Sequence, residues 1–441
     1  MPNHSLHVQR FVGAVVLILA TSGGFGLRAW AQPAPPEDEL AELKAWVTRP
    51  HNGQPAPVGE TALGALKEVM PPPQWREFQR QEVSALLVTP TGTYLPPKGY
   101  RDATEKNTQV TIGNGQLEHY VAGLPFPDLT AEDPLVATKA MWNHDRRPQH
   151  HGPYGKGTNV LNLSPGHSDL SQWTSPTGIK DIFRPGALGV VDRSYRMDFG
   201  FLYFDRLAHG KPSEFDWKAW FQYSYPDDMN HLSVIMQRFW DQNLGAEDTF
   251  TYAQELRRVR RAQIPKSEPF LNSEFGTRDF WGFFDFIPKY TAEYWGQAQV
   301  LAIMNSQHAL ARFTGTRGTV PDDRYEPRTA HVVLLKPVQL EQTDDYAARV
   351  LFLDSQTWGV LVGIIFGRDG KVLKLFTPTY KWYAIRGEAA DSGGVCGFSG
   401  MSQLNVPRQS ATLLFIEQVS FPDTTPENIK RVSVSSLERM N

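Results

Sequence analysis

Trp358, Val360, Val362, Ile364 and Phe366 recur at every second position, the period that places side chains on one face of a strand. Gly367-Arg368-Asp369-Gly370 then turns the chain and KVLKLF returns, so a hairpin with one strongly apolar face is expected. From Tyr195 onward, YRMDFGFLYF, EFDWKAWFQYSY and DFWGFFDFI are dense in aromatic residues and read as further strands, as does ATLLFIEQVSF near the C-terminus. The first third of the chain has a different period. Leu40, Leu43, Trp46 and Val47 recur at helical spacing. A second short helix is predicted over Glu60–Met70, stopped by Pro71-Pro72-Pro73, and a third over Gln74–Leu87. Asp133-Pro134 starts a helix predicted to reach about Trp142. From His144 to about Pro185 turn formers dominate, and the stretch reads as a long surface excursion. The architecture expected from these patterns is α+β and mainly β. A large antiparallel sheet begins at about residue 190, and helices come mainly from the segment before about 150.

Composition narrows the class. The 441 residues are 41% hydrophobic and 21% charged, enough apolar material for a sizeable core and too few charges for a disordered chain. A net charge of -3 gives no global field for polyanions, so nucleic acid is not expected as a partner. His4, His7 and Arg10 precede the apolar run FVGAVVLILA, and Ala29-Trp30-Ala31 matches a cleavage site, so residues 1–31 read as an export signal cut after Ala31. The apolar run is too short to span a bilayer, and no later stretch reads as a membrane helix. The mature protein is therefore expected in the periplasm, with a flexible leader and first helix over 32–59 and a single domain over 60–441. One cysteine, Cys396, excludes an intrachain disulfide and reads as a small buried hydrophobe.

Several motifs imitate chemistry. Asp391-Ser392-Gly393-Gly394 matches the core of a serine-nucleophile motif, but no credible histidine base accompanies it, and a glycine-rich turn is the better reading. His144, Asp145, His150 and His151 cluster without the rigid spacing of a zinc site. No phosphate loop, His-Glu-x-x-His or dinucleotide fingerprint is present, so neither cofactor nor metal is expected and no catalytic residue is assigned. Asp322-Asp323 and Asp344-Asp345 point to opposite faces of an extended chain and do not form a shared site.

Four segments in order carry a resemblance. They are GYRDATEKNTQVTI, YVAGLPFPDLTAEDPLVATKAMWNH, TYAQELRRVRRAQ and YAARVLFLDSQTWGVLVGIIFGRDGKVLKL. Together they are similar to the bacterial "domain of unknown function 1329" proteins over most of the chain. The chain departs from that pattern at Ala253-Gln254-Glu255, where Pro and Gly are common, and in the more aromatic FWGFFDFIPKYTAEYWG. The resemblance implies a LolA/LolB-like fold: a curved, unclosed antiparallel sheet or half-barrel, helices on its concave side, and a hollow for acyl chains. It implies a secreted, outer-membrane lipoprotein-sorting-like protein without enzymatic activity, and an association with exporters of the resistance-nodulation-division type.

Two readings of function stay open here: a periplasmic carrier of hydrophobic cargo, lipid or lipoprotein acyl chains, or an accessory subunit of an exporter or outer-membrane complex with no lipid site of its own. For the carrier, Trp217, Phe221, Trp281, Phe284, Trp358, Val360, Val362 and Ile364 are the expected apolar lining. Whether the interior is a cavity or a packed core is not decided by these residues, because both use the same ones. Arg257, Arg258, Arg260 and Arg261 fall within five positions. Thr249–Tyr252 favours a strand, which puts Arg258 and Arg260 on one face and divides the cluster. A solvated, salt-bridged sheet face is expected, and Arg258 and Arg260 are the alternative contacts for an anionic head group.

Overall fold

The computed structural model describes residues 38–50, 56–204, 214–241, 247–253, 258–262, 269–340, 345–385, 393–421 and 425–439. The export segment, Arg257 and Ser392 lie outside them. The helices are α1 (Glu39–Thr48), α2 (Pro72–Arg80), α3 (Lys98–Thr104), α4 (Val136–Asp145) and α5 (Pro426–Arg431). The strands are β1 (Gly59–Ala62), β2 (Ala85–Val88), β3 (Thr111–Gly113), β4 (Gln116–Glu118), β5 (Tyr154–Asp169), β6 (Leu188–Tyr203), β7 (Phe215–Tyr225), β8 (Ser233–Phe239), β9 (Asp248–Ala253), β10 (Arg258–Ala262), β11 (Tyr290–Ala302), β12 (Phe313–Thr314), β13 (Val320–Pro321), β14 (Arg324–Pro337), β15 (Ala348–Asp354), β16 (Val360–Phe366), β17 (Val372–Ala384), β18 (Gly394–Asn405) and β19 (Ser410–Ser420).

Fifteen strands form one open sheet in the order β1-β2-β14-β15-β16-β17-β18-β19-β5-β6-β7-β8-β9-β10, with β11 on β14. Strands β5–β10 and β14–β19 each form a meander of successive antiparallel pairs, which local hairpins suffice to build. A single long-range antiparallel seam, β19 on β5, joins the two. The sheet is mixed, because β2 pairs with β14 in parallel through Leu87 and Val88. A chain of more than two hundred residues separates these two strands, so no hairpin dictates their direction.

The structure corrects four expectations about elements. Gly59–Ala62 is a strand followed by a 3-10 turn at Leu63–Val69, not an α-helix. The predicted third helix ends at Arg80 and gives way to β2. The supposed surface excursion contains β5, a 16-residue strand at the centre of the sheet. Its period is hidden because both faces are covered: Val160 enters the main core while Leu161 and Leu163 enter another beneath Phe183 and Phe313. DFWGFFDFI is not a strand but 3-10 turns, with Trp281 at φ 58° and Gly282 at φ 88°.

The apolar face read from β16 also divides. A β-bulge at Leu361 sets Val362 opposite Phe352 but Val360 opposite Leu353, so Val360 turns to the other side of the sheet from Val362 and Ile364. On the Val362 side Trp46 of α1 meets Phe352 edge-on, with ring centroids 6.3 Å apart. On the Val360 side lies the segment 269–289, here called the strap, whose Gly282 abuts Val360. Helix α4 is tied to that segment through His144 and Phe283. Cover is thus divided between the two faces, and the aromatic strap supplies much of it. A third patch, Leu202, Trp220, Ile235 and Tyr252, is closed by Val432 and Leu437 after β19.

Candidate functional site

The strap crosses one face of the sheet without a ladder to any named strand: its one β-bridge, Pro269 with Gly276, is internal. Aromatic rings make the contact instead. Trp281 sits between Phe201 (5.7 Å) and Phe398 (5.0 Å), Phe280 reaches Phe221 (6.1 Å), and Phe284 lies 4.9 Å from Trp217. Rings in these tilted and edge-on arrangements contribute about 0.5–1.5 kcal/mol per pair beyond their burial.

Two polar latches hold it. Glu274 is the first. Its carboxylate accepts from Ser410 Oγ (2.6 Å) and Asn405 Nδ2 (2.9 Å) and pairs with Lys374 Nζ (3.2 Å), while its backbone N–H donates to Thr412 Oγ1 (2.8 Å). Burial would raise the Glu274 pKa, but Lys374 and the two donors outweigh it and hold the carboxyl below its ordinary range. Asn162 of β5 adds a bond to the Leu271 carbonyl (3.1 Å). Asp279 is the second latch. It pairs with Arg349 of β15 and accepts from Tyr346 Oη (3.0 Å), and Arg349 Nη1 also donates to the Gly282 carbonyl (2.7 Å). These bonds satisfy strap backbone groups that no strand satisfies. On either side of the latches Leu271, Asn272 and Trp281 adopt positive φ, which non-glycine residues adopt only at a cost.

Beneath the strap a gap of about 40 Å³ remains between Met197, Phe199, Phe201 and Phe221 of β6 and β7, Met401, Leu414 and Ile416 of β18 and β19, and Phe275, Phe280 and Trp281 of the strap. Small-molecule sites occupy roughly 300–1,000 Å³. With the strap in place the interior is therefore a packed core.

A larger cleft, about 310 Å³, opens at the end of that interior. It is bounded by Gly99, Tyr100 and Ala103 of α3, Tyr120–Gly123, Asp145–His151, and Tyr203, Phe204 and Trp240. Arg146 forks onto Asp216, with Nη2 to Oδ2 at 2.9 Å, and pairs with Asp145 at 3.0 Å. Burial works against the guanidinium charge, and the two carboxylates outweigh it, so Arg146 stays protonated. Helix α4 runs to Asp145, three residues beyond the expected end, so His144 is helical rather than part of a loop cluster. It is buried with Nδ1 at 2.8 Å from the Trp358 carbonyl and Nε2 at 3.3 Å from the Phe283 carbonyl. Desolvation pushes its pKa down to about 4, so the ring is neutral and gives its one proton to the closer carbonyl.

Of the expected lining, Trp217, Phe221, Trp281, Phe284 and Val360 meet on the strap side. Val362 and Ile364 lie on the far side with Phe352 and Val350. Trp358 stacks on His331 at 4.9 Å and 9° at the end of the β15–β16 turn. Arg258 and Arg260 are exposed on the edge strand β10, and Arg261 pairs with Asp248. Sequence reasoning passed over Glu274, Asp279, Arg349 and Asn162. The signal available was Arg349, a charge inside a strand buried on both faces.

Two of the segments that carry the resemblance hold this arrangement together. In YAARVLFLDSQTW, Arg349 holds the strap. Asp354 forks onto buried Arg328 (2.9 and 3.0 Å) and accepts from the Thr357 N–H (2.8 Å), fixing the turn that presents Trp358. In the Gly-Leu-Pro-Phe-Pro segment, Asn143 bonds both the N–H (2.9 Å) and the carbonyl (2.7 Å) of Phe126, tying that loop to α4.

No curated protein matches the chain. Solved structures similar to it include a candidate outer membrane lipoprotein-sorting protein domain from Vibrio parahaemolyticus (18% identity, 68% of this chain and 97% of that one, TM-score 0.43). A DUF1329 family protein from Desulfovibrio piger is also similar (13%, 68% and 95%, TM-score 0.43), as is a LolA superfamily protein from Nitrosomonas europaea (12%, 65% and 92%, TM-score 0.33). Residues 63–398 match the family described as protein of unknown function, DUF1329, and with that span covered the chain belongs to the DUF1329 family.

Proposed function

We propose that the protein is a non-enzymatic periplasmic carrier of a hydrophobic cargo, lipid or lipoprotein acyl chains. One observation carries this reading. The strap fills an apolar sheet face with rings, yet it shares no ladder with a named strand and is held by two latches. Lifting it would cost the latches and ring contacts but leave the fifteen-stranded ladder intact. A strand of the sheet cannot leave without breaking its ladder. The exposed face, with Phe199, Phe201, Phe221 and Met401, would suit an alkyl chain in place of the strap's own rings. Location in the periplasm rests on the export-like segment before residue 32 and the name of the Vibrio domain is in keeping with it.

The test is an organic extract of protein purified from the envelope, analysed by mass spectrometry, together with titration of the pure protein with 1-N-phenylnaphthylamine. Bound lipid, or saturable uptake of the dye that an acyl chain displaces, is expected. A protein that yields no lipid and takes up no dye is not a carrier, and the reading as an accessory subunit of an exporter or outer-membrane complex then takes its place.

A further inference from the structure

We infer that the 310 Å³ cleft beside the end of α4 is a head-group site for the oxyanion of a single-chain amphiphile, whose tail takes the place of the strap's rings on the apolar sheet face. This rests on the carrier reading and adds to it the kind of cargo and the direction in which it lies.

The cleft's size falls at the lower end of the roughly 300–1,000 Å³ usual for small-molecule sites. Its polar chemistry is one-sided. Arg146 is balanced by Asp216 and Asp145, but Arg147 makes no ion pair among the described residues, and its Nη1 donates only to the His144 carbonyl (2.8 Å). Two further donors on the wall are buried without a hydrogen-bond partner: the Tyr203 hydroxyl and Arg146 Nε. Buried donors left in this state are destabilising, and a ligand acceptor removes that cost. Among the described residues the one carboxylate on the wall, Asp145, is engaged by Arg146 and, at 3.8 Å, by Arg238. A surplus of donors with one unpaired guanidinium calls for an anion rather than a neutral, hydroxyl-bearing ligand. Burial pushes the Tyr203 hydroxyl up to about 12, so it keeps its proton for donation.

Position supplies the second half of the argument. Tyr203 and Phe201 are neighbours on one face of β6, their rings stacked 6.2 Å apart at 18°. Tyr203 lines the cleft and Phe201 lines the apolar gap under Trp281. One layer of rings separates donors from hydrocarbon, the order in which a carboxylate or phosphate and its alkyl chain occur in an amphiphile. Arg258 and Arg260 line neither space.

Calorimetric titration of the full-length protein with decanoate, decyl phosphate, decanol and inorganic phosphate tests this. The two amphiphilic anions are expected to bind at least about ten-fold more tightly than decanol, the effect of one hydrogen bond to a charged group. Arg147→Gln should abolish that preference and leave decanol binding unchanged. Arg147→Lys should keep part of it, and Tyr203→Phe should reduce it. Equal binding of decanol and decanoate to the wild type, a comparison that needs no variant, overturns the head-group assignment while leaving the carrier reading standing. So does an equal loss for both ligands in Arg147→Gln. If phosphate binds and no decyl compound does, the cleft is a small-anion site and the amphiphile is excluded. If nothing binds, the carrier reading and the head-group site fall together.

Discussion

Arg349 of β15 and Asp279 of the strap form an ion pair with both side chains almost wholly out of water, at 4% and 1% exposure. The pair couples the sheet to the aromatic strap, which crosses its face without a ladder. Tyr346 closes it, donating to Asp279 and lying 5.5 Å beneath the Arg349 guanidinium. Such a pair adds little net stability over a hydrophobic substitute, but removing one partner strands a buried charge.

Arg349→Met is therefore expected to lower stability by about 3–5 kcal/mol. The double variant Arg349→Met/Asp279→Leu should recover much of that loss, since no lone carboxylate remains. In both, the strap loses its second latch, and uptake of 1-N-phenylnaphthylamine should rise above wild type. Urea melts and dye titration decide it. A destabilised variant whose dye uptake is unchanged would show that the strap is not what closes the face.

Gly282 stands at φ 88°, and a Cβ there would lie 2.8 Å from the Val360 side chain. Gly282→Ala combines backbone strain with a clash and should cost more than about 1 kcal/mol. Pairing it with Val360→Ala relieves the clash and not the strain, so a partial rescue in thermal melts is the expected result. Complete rescue would place the whole effect in packing.

The bulge at Leu361 predicts different results for two neighbouring valines. Val362 faces Phe352 in a packed layer, so Val362→Trp overfills it and should cost about 1–3 kcal/mol without altering dye uptake. Val360 faces the strap, and Val360→Trp should push against it and change dye uptake. Equivalent behaviour of the two variants would contradict the bulge.

His144 gives a pH dependence of definite sign. In the folded protein it takes a proton only near pH 4, whereas the free side chain does so near 6.5, because burial opposes the charge. Protonation therefore favours the unfolded chain, and stability present above pH 6.5 is lost as the pH falls toward 4, by on the order of 3 kcal/mol. His331, also lowered by burial, acts in the same sense. His144→Gln should flatten the fall in melting temperature between pH 7 and pH 4.5. Parallel profiles for variant and wild type would remove His144 from the account.

The sequence by itself determined the elements with a helical period, a local turn or a strand-forming composition. Helix α1 was legible because a period of 3.6 survives in it, the β16–β17 hairpin because its turn is local, and β6, β7 and β19 because aromatic and apolar residues are dense in them. The tertiary structure decided the rest. Strand β5, covered on both faces and holding Asn159 and Asn162 inside, has no alternation to read. The strap's aromatic run has the composition of a strand, but its N–H and carbonyl groups are bonded by Thr412, Gln403, Asn162 and Arg349, residues 67 to 138 positions away or more than a hundred residues upstream. One inserted residue at Leu361 sent Val360 and Val362 to opposite faces, and a period of two cannot report a bulge. The cleft is built from α3, the end of α4 and the ends of β6 and β8, segments far apart along the chain, so no local pattern could have brought Tyr203 to Arg146 and Arg147.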